Sequence, residues 1–427
     1  MEIKKLLEWN PWWETKDSIN ELKGIPRKKY ESLIESIEIK EITILIGVRR
    51  SGKSTLMYQM IDFILSKGIK PEQILFVNLE DRQLTEDSLE DIYSVYKENI
   101  NPREKSYIFI DEIHRKKGWE SWIRKKYDLK QGCKFVISGS CSYLLKKEYS
   151  TLLTGRNLTF KVFPLSFEEF LSFKGMKLDK EKLAKGIITD KTRYEILNYF
   201  KEFIEFGGFP EIFFAKENYK MKILKQYFDD ILYKDIIDRY EINGQKARDL
   251  ALFLITNFTS NISLRNIRNS LGLSYDLIKD YIHYYTESFL FFIVEHFSYS
   301  LKEQKTRSSK IYSIDNGLRN AVSFKFSKDE GKLVENIVFI ELKRREKEVY
   351  YWRDKGEVDF VIKEKNILTG INVTYSDEID KREANGLLEF KGKFNKRVKK
   401  LIIITKNLEK TERGIVYIPL WKWILSG

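Results

Sequence analysis

Ile42-Thr43-Ile44-Leu45-Ile46-Gly47-Val48-Arg49-Arg50-Ser51-Gly52-Lys53-Ser54-Thr55 runs from an apolar stretch, through two glycines, into a segment of helical periodicity. Residues 42–46 predict a buried strand, because β-branched side chains dominate and a glycine-bearing turn follows. Over residues 54–67, Leu56, Met60, Ile61, Ile64 and Leu65 fall on one side of a helix. Between strand and helix the spacing is GxxxxGKS. Gly47 and Gly52 permit a tight backbone path with inward-facing amides, and the helix N-terminus adds donors and a favourable dipole. The expectation is a phosphate-binding loop made of Gly47, Val48, Arg49, Arg50, Ser51, Gly52, Lys53, Ser54 and Thr55. Lys53 would counter the β- and γ-phosphates of ATP, and Ser54 would ligate Mg2+.

Tyr107-Ile108-Phe109-Ile110-Asp111-Glu112 reads as a second buried strand, ending in two acids. Asp111 is expected in the Mg2+ coordination shell, and Glu112 is expected to orient or polarise the attacking water. A third apolar run, residues 134–137, leads into Ser138-Gly139-Ser140. Ser140 is a candidate γ-phosphate or water sensor, with a structural turn as the alternative; Ser138 satisfies local backbone groups. Arg156, after Thr154-Gly155, is a candidate nucleotide contact within the chain or across a subunit interface, and Arg49 and Arg50 compete for the phosphate-facing role. With a further strand over 74–77, the alternation of strands and helices predicts a parallel α/β sheet with phosphate chemistry at its carboxyl ends.

A chain of 427 residues exceeds the usual single domain, so several bodies with their own cores are expected. Hydrophobic residues make up 42% of it, which excludes a largely disordered protein. No stretch approaches the roughly 18 to 25 apolar residues of a membrane span, and the first thirty residues lack a signal-peptide pattern. A soluble, cytoplasmic protein without membrane insertion is expected. Cys133 and Cys141 show neither CxxC nor zinc-ligand spacing, which points to core roles. The formal charge of +13 favours attraction to nucleic acid, although lysine also solubilises a surface.

Residues 1–20 form an N-terminal segment whose Trp9, Trp12 and Trp13 either pack onto the next body or make a partner patch. A helix is expected over 27–38, within an ATPase core spanning 21–165. Residues 166–240, interrupted by Gly207-Gly208-Phe209-Pro210, are expected to form a helical lid or linker. Over 241–305, three short helices and an aromatic stretch suggest a winged helix-turn-helix, with a second helix at 264–271, a turn at Gly272 and a third helix from near Ser274. Tyr275, Lys279 and His283 are candidate exposed DNA contacts there, and Arg265 and Arg268 candidate holders of the backbone; an internal or protein-protein role is the alternative. Residues 325–427 read as a compact C-terminal α/β domain.

The motifs GVRRSGKST, YIFIDEIH, FVISGS, LLTGR, FPLSFEEFL and GGFPE, in that order, resemble the archaeal-type ATPase family within the AAA+ and STAND-like P-loop ATPases, over about residues 20 to 300. The resemblance implies a multidomain α/β architecture: a P-loop ATPase core, a helical lid and a winged helix, often followed by a nuclease-like domain. The C-terminal region in turn resembles the restriction-endonuclease-like PD-(D/E)XK superfamily. Glu335 lies on the helix before its core, and Gly356-Glu357-Val358-Asp359-Phe360 resembles the first acidic strand. The resemblance puts a second acid and a lysine on the next strand, where this chain has Asn372 and Thr374. An amide cannot supply carboxylate charge, nor threonine an ammonium, so a noncatalytic module is expected, in which Glu335 and Asp359 retain Mg2+ binding or position nucleic acid. Lys381, Arg382, Lys391, Lys393, Lys396, Arg397, Lys399 and Lys400 form either a phosphate-binding face or a solvated surface. The function expected is Mg-dependent ATP hydrolysis coupled to remodelling or regulation on DNA. An ATP-gated DNA nuclease and a STAND-like switch, acting as a homo-oligomer or on a protein partner, are the alternatives.

Overall fold

The apolar run at the start of the phosphate-loop motif forms β1 (Ile42–Ile46), buried along its whole length. The computed structural model describes residues 2–142, 153, 155–184, 186–323 and 330–426. Leu152 and Thr154 of the LLTGR motif, and residues 325–329 at the expected start of the C-terminal domain, lie outside the described residues. The chain divides into two units, Met1–Val162 and Phe163–Gly427.

In the first unit β1 is joined by β2 (Ile74–Asn78), β3 (Ser106–Asp111), β4 (Cys133–Gly139) and β5 (Asn157–Lys161) in a five-stranded sheet of order β2-β3-β4-β1-β5. All four pairings are parallel. Parallel pairing requires crossovers, and helices including α1 (Tyr30–Glu38), α2 (Lys53–Ser66), α3 (Leu89–Asn99) and α4 (Trp119–Asp128) accompany the strands. The helix expected over 27–38 begins only at Tyr30. β4 stands between β1 and β3, so its carboxyl end separates the phosphate-loop motif from the Asp111-Glu112 pair.

β2 is an edge strand, and the N-terminal segment deals with its exposed backbone. Asn10 accepts a hydrogen bond from the Phe76 amide at 2.6 Å and donates to the Phe76 carbonyl at 2.9 Å, as a neighbouring strand would. Trp12 is fully buried, and the indoles of Trp12 and Trp13 both donate to the Ile74 carbonyl. Of the two readings of these aromatics, packing onto the core is the one observed.

The second unit opens with helices, among them α5 (Phe167–Phe173), α6 (Asp190–Phe206) and α7 (Glu217–Leu232). These are the helices expected to form a lid or linker, and hydrogen bonds join them and their flanking residues to later segments of this unit. Asp315 accepts from the Gly208 amide at 2.7 Å, Asn320 donates to the carbonyls of Ile204 and Glu205, and Arg344 donates to those of Pro164 and Leu165. Then come α8 (Gly244–Thr256), β6 (Asn261–Ile262), α9 (Leu264–Leu271), α10 (Tyr275–Glu287), β7 (Phe291–Val294) and β8 (Ser309–Ser313), whose strands form a three-stranded antiparallel sheet of order β6-β8-β7. Ser263 and Ser274 cap α9 and α10, and Gly272 between them takes a left-handed φ of 66°, which suits a residue without Cβ. Because β8 belongs to this sheet, the module continues past the expected boundary at residue 305.

After α11 (Asn316–Val322) and α12 (Glu330–Arg344), the chain builds a mixed six-stranded sheet from β9 (Val349–Arg353), β10 (Glu357–Glu364), β11 (Ile367–Val373), β12 (Val398–Thr405), β13 (Lys410–Glu412) and β14 (Ile415–Pro419), in the order β13-β14-β12-β11-β10-β9. α13 (Lys381–Phe394) packs on it through Leu387 and Phe390, beside Trp352, Val361 and Leu401. Of the basic residues expected to share a face, Lys393 pairs with Asp354 at 2.9 Å, Arg397 lies 4.5 Å from the Tyr299 ring centre, and Lys399 and Lys400 are both exposed beside a register shift between β11 and β12. No helix among the described residues is long and apolar enough to cross a membrane.

Candidate active site

The loop between β1 and α2 has the glycines its path demands. Gly52 adopts φ 93°, and a Cβ added to Gly47 would stand 2.0 Å from the Val162 carbonyl oxygen. Lys53, the first residue of α2, is 4% exposed, with Nζ 3.1 Å from the Gly47 carbonyl and 3.2 Å from that of Val48. Val48 is fully buried, and Thr55 lies close enough to Gly24 that a Cβ there would touch its methyl at 3.3 Å. Ser51 is anchored through its carbonyl by Arg27 at 2.8 Å, while its buried Oγ has no hydrogen-bond partner among the described residues. A buried hydroxyl normally finds a partner, so this one is a donor available to a ligand in the cradle. Arg49 is buried in an ion pair with Glu80 at 2.6 Å, and Arg50 is exposed at a left-handed φ of 66°.

Asp111 closes β3, and Glu112 follows it at a left-handed φ of 54° that turns the chain out of the sheet. The Asp111 carboxylate accepts from Ser54 Oγ at 2.5 Å and, through its other oxygen, from Ser138 Oγ. Glu112 is gripped from three sides: Lys53 Nζ at 3.5 Å, the Ser140 amide at 3.1 Å and His114 Nδ1 at 3.2 Å. Burial raises the pKa of Asp111, the neighbouring Glu112 adds to the rise, and the bonds from Ser138 and Ser54 only partly offset it. Burial pushes Glu112 the same way, but Lys53, His114, Arg49 and the Ser140 amide overcome it and hold that carboxyl at about 2.

Ser54 Oγ and Asp111 Oδ2 are adjacent oxygens at the end of a phosphate-binding loop, a donor set that suits Mg2+. The unpartnered Ser51 hydroxyl and the crowding at Gly47 likewise fit a cradle shaped for phosphate.

Two residues gain importance from the structure. Ser138 bonds the Asp111 carboxylate and accepts from the Glu112 amide at 3.1 Å, so it organises both acids. His114, two residues after Glu112, returns to that carboxylate through a one-turn 3-10 helix, Ile113–Arg115. Ser138 was read from sequence only as satisfying local backbone groups and His114 was not singled out; the signals were a serine ending a strand and the histidine of YIFIDEIH. Ser140 contributes its backbone amide, with the side chain buried. Arg156 does not reach the site within the chain: its carbonyl accepts from the amide of Ile42, the first residue of β1, and its guanidinium pairs with Asp128 at 3.0 Å. It therefore lies at the amino end of the parallel sheet, opposite the loop.

In the second unit, Arg265 and Lys279 line an open groove of about 640 Å³ with His283, Lys305 and Arg307. No acidic side chain lines it. Arg268 and Tyr275 pair instead with each other, the guanidinium 5.0 Å from the ring centre. Farther along, Glu335 and Asp359 face a pocket of about 460 Å³ that also includes Lys310, Glu357 and Glu383. Asn372 lies beneath it: its Oδ1 accepts from the Asp359 amide at 3.0 Å and its amide donates to Glu383 Oε2 at 2.9 Å. Thr374 is not among the residues lining this pocket.

Residues 39–171 match the model of an AAA domain, and residues 197–329 and 330–423 match two domains of unknown function (DUF8612 and DUF4143). An uncharacterized protein of Methanocaldococcus jannaschii is 35% identical over 430 residues, covering 93% of this chain and 92% of its own. One from Haemophilus influenzae is 32% identical over 414 residues, covering 94% and 99%. Among solved structures, the Aeropyrum pernix ORC1 protein in complex with DNA matches 73% of this chain and 96% of its own at 10% identity and a TM-score of 0.32. The Thermotoga maritima RuvB Holliday junction branch migration motor matches 63% and 89% at 15% identity and a TM-score of 0.28. The AAA-type P-loop domain supports a capacity to bind and hydrolyse ATP. Identity of this extent along almost the whole chain makes this protein a member of one family with the Methanocaldococcus and Haemophilus proteins, with an AAA domain at residues 39–171.

Proposed function

We propose that this protein hydrolyses ATP in a magnesium-dependent reaction and couples the cycle to a conformational change on DNA. The observation that carries the reading is the convergence of Lys53, Ser54, Asp111 and Glu112 at the carboxyl end of one parallel sheet. A triphosphate entering the loop meets inward amides, the Ser51 hydroxyl and the Lys53 ammonium, for which it competes with Glu112. Magnesium bound at Ser54 and Asp111 supplies positive charge to the phosphate oxygens. Glu112 accepts a hydrogen bond from water and aims its oxygen at the γ-phosphorus. The bond from that phosphorus to the bridging oxygen breaks, ADP departs with the bridging oxygen, and the water's proton is released. A carboxyl held at about 2 is a weak base, so positioning is the larger part of the Glu112 role.

The DNA part rests on the formal charge of +13 and on the groove of Arg265, Lys279, His283, Lys305 and Arg307. Three helices with a small antiparallel sheet, its first strand between α8 and α9 and the other two after α10, support a winged-helix reading of this module, with α10 and the segment before β8 as its contact surfaces. His283 and Arg307 have Glu287 and Glu303 at 3.4 and 3.7 Å, but no acid lines the groove itself, which suits a phosphate backbone better than base edges, so binding indifferent to sequence is expected. The test is ATP turnover by wild type and Glu112→Gln, with and without single-stranded, duplex and branched DNA, while strand integrity is followed. Turnover stimulated by DNA that stays intact supports the reading. Turnover indifferent to every nucleic acid overturns the DNA part and leaves the ATPase.

A further inference from the structure

Lys310 belongs to the three-stranded sheet, yet its ammonium enters the pocket of the six-stranded one. Its Nζ lies 2.7 Å from Glu357, 3.2 Å from Asp359 and 3.4 Å from Glu335, and the residue is 3% exposed. Two of these acids have a further donor. Tyr312 donates to Glu335 at 2.7 Å, and the Val373 amide donates to the second oxygen of Asp359 at 3.0 Å. Asn372, where the nuclease-like resemblance expects an acid, spends its amide on the carbonyls of Glu357 and Glu383 and on the Glu383 carboxylate. A carboxylate there could donate none of these bonds.

These side chains do not fit the divalent ion that the resemblance implies. Among the described residues no group of three or more His, Cys, Asp or Glu side chains is arranged to hold a metal. A cation entering between Glu335 and Asp359 would have to displace the lysine, leaving a buried ammonium without its partners. We propose that Lys310 is the resident cation of this pocket, closing it to divalent metals while tying the two sheets of the second unit together. Removing the lysine would leave Glu335, Glu357 and Asp359 without their cation and free to regroup around a metal ion, an arrangement they do not have in the native pocket.

The proposal is tested on the nucleotide-free full chain by titrating Mn2+ and counting bound ions by electron paramagnetic resonance. Wild type, Asp359→Asn, Lys310→Met and the double variant are compared, so that any ion at Ser54 and Asp111 is common to all four. Wild type and Asp359→Asn should bind equal numbers. Lys310→Met should bind one more, and the double variant should lose it. One ion fewer in Asp359→Asn than in wild type overturns the proposal, because the native pocket would then hold metal; so does a folded Lys310→Met that gains none. Should Lys310→Met fail to fold by circular dichroism, the comparison of wild type with Asp359→Asn still decides.

Discussion

Asp111 and Glu112 are neighbours buried at the same strand end, yet their surroundings drive the two carboxyls apart. The cause is geometric: the left-handed turn at Glu112 sends its side chain to Lys53, His114 and the Ser140 amide, while Asp111 receives two serine hydroxyls. Glu112→Gln keeps the shape but removes the charge that positions water. ATP turnover should fall by about 10²-fold or more, with equilibrium ATP binding retained. The same residue gives a signed pH effect. Its folded pKa of about 2 lies below the ordinary carboxyl value, so the stabilisation is present above roughly pH 4.5 and lost as pH falls toward 2. Urea unfolding of wild type minus Glu112→Gln should show a difference on the order of 3 kcal/mol near neutrality, shrinking through that window. A difference that grows on acidification would contradict the assignment.

At the scale of elements, the sequence was most readable where short apolar runs rich in β-branched and aromatic residues have only one way to be buried. The strands at 42–46, 74–78 and 106–111 were visible for that reason, and α9 has the bounds its capping serine and terminal glycine announce. What could not be read was adjacency. Nothing local says that β4 lies between β1 and β3, which is why Ser138 read as satisfying local backbone groups rather than as a donor to Asp111. Arg156 shows the same limit: it follows a loop in sequence, and the parallel direction of β5 places it at the sheet's far end, away from the phosphate loop of its own chain. GGFPE was legible as a helix break, and its partner was not. Gly207 has φ 72°, and a Cβ on it would stand 1.9 Å from Asp315 Oδ1, part of a carboxylate that holds the Gly208 and Gly317 amides. Gly207→Ala combines left-handed strain with overpacking and should cost about 2 to 5 kcal/mol in urea unfolding. A loss below 1 kcal/mol would show that this junction yields easily.

For the whole molecule, module types were partly legible and module borders less so. The segment between β7 and β8 hides the return of β8, so the three-stranded sheet was cut short and Lys310 was assigned to no site. Charge composition predicted a polyanion partner without saying where, and the groove without acidic lining is where we propose that it binds. If Lys279 and Arg307 each meet a phosphate, replacing both by alanine should flatten the slope of log affinity against log salt by about 2, without changing the order of preference among unrelated sequences. An unchanged slope would move the DNA surface elsewhere.

The whole scheme depends on a triphosphate held by the loop after β1. Equilibrium binding of ATP to wild type and to Lys53→Ala, with magnesium present, tests this most directly. Saturable binding by wild type that weakens at least about 10-fold in a folded Lys53→Ala is the predicted result, the loss of a charge-assisted contact of roughly 1.5 to 3 kcal/mol. No binding by wild type, or equal binding by both, would contradict it.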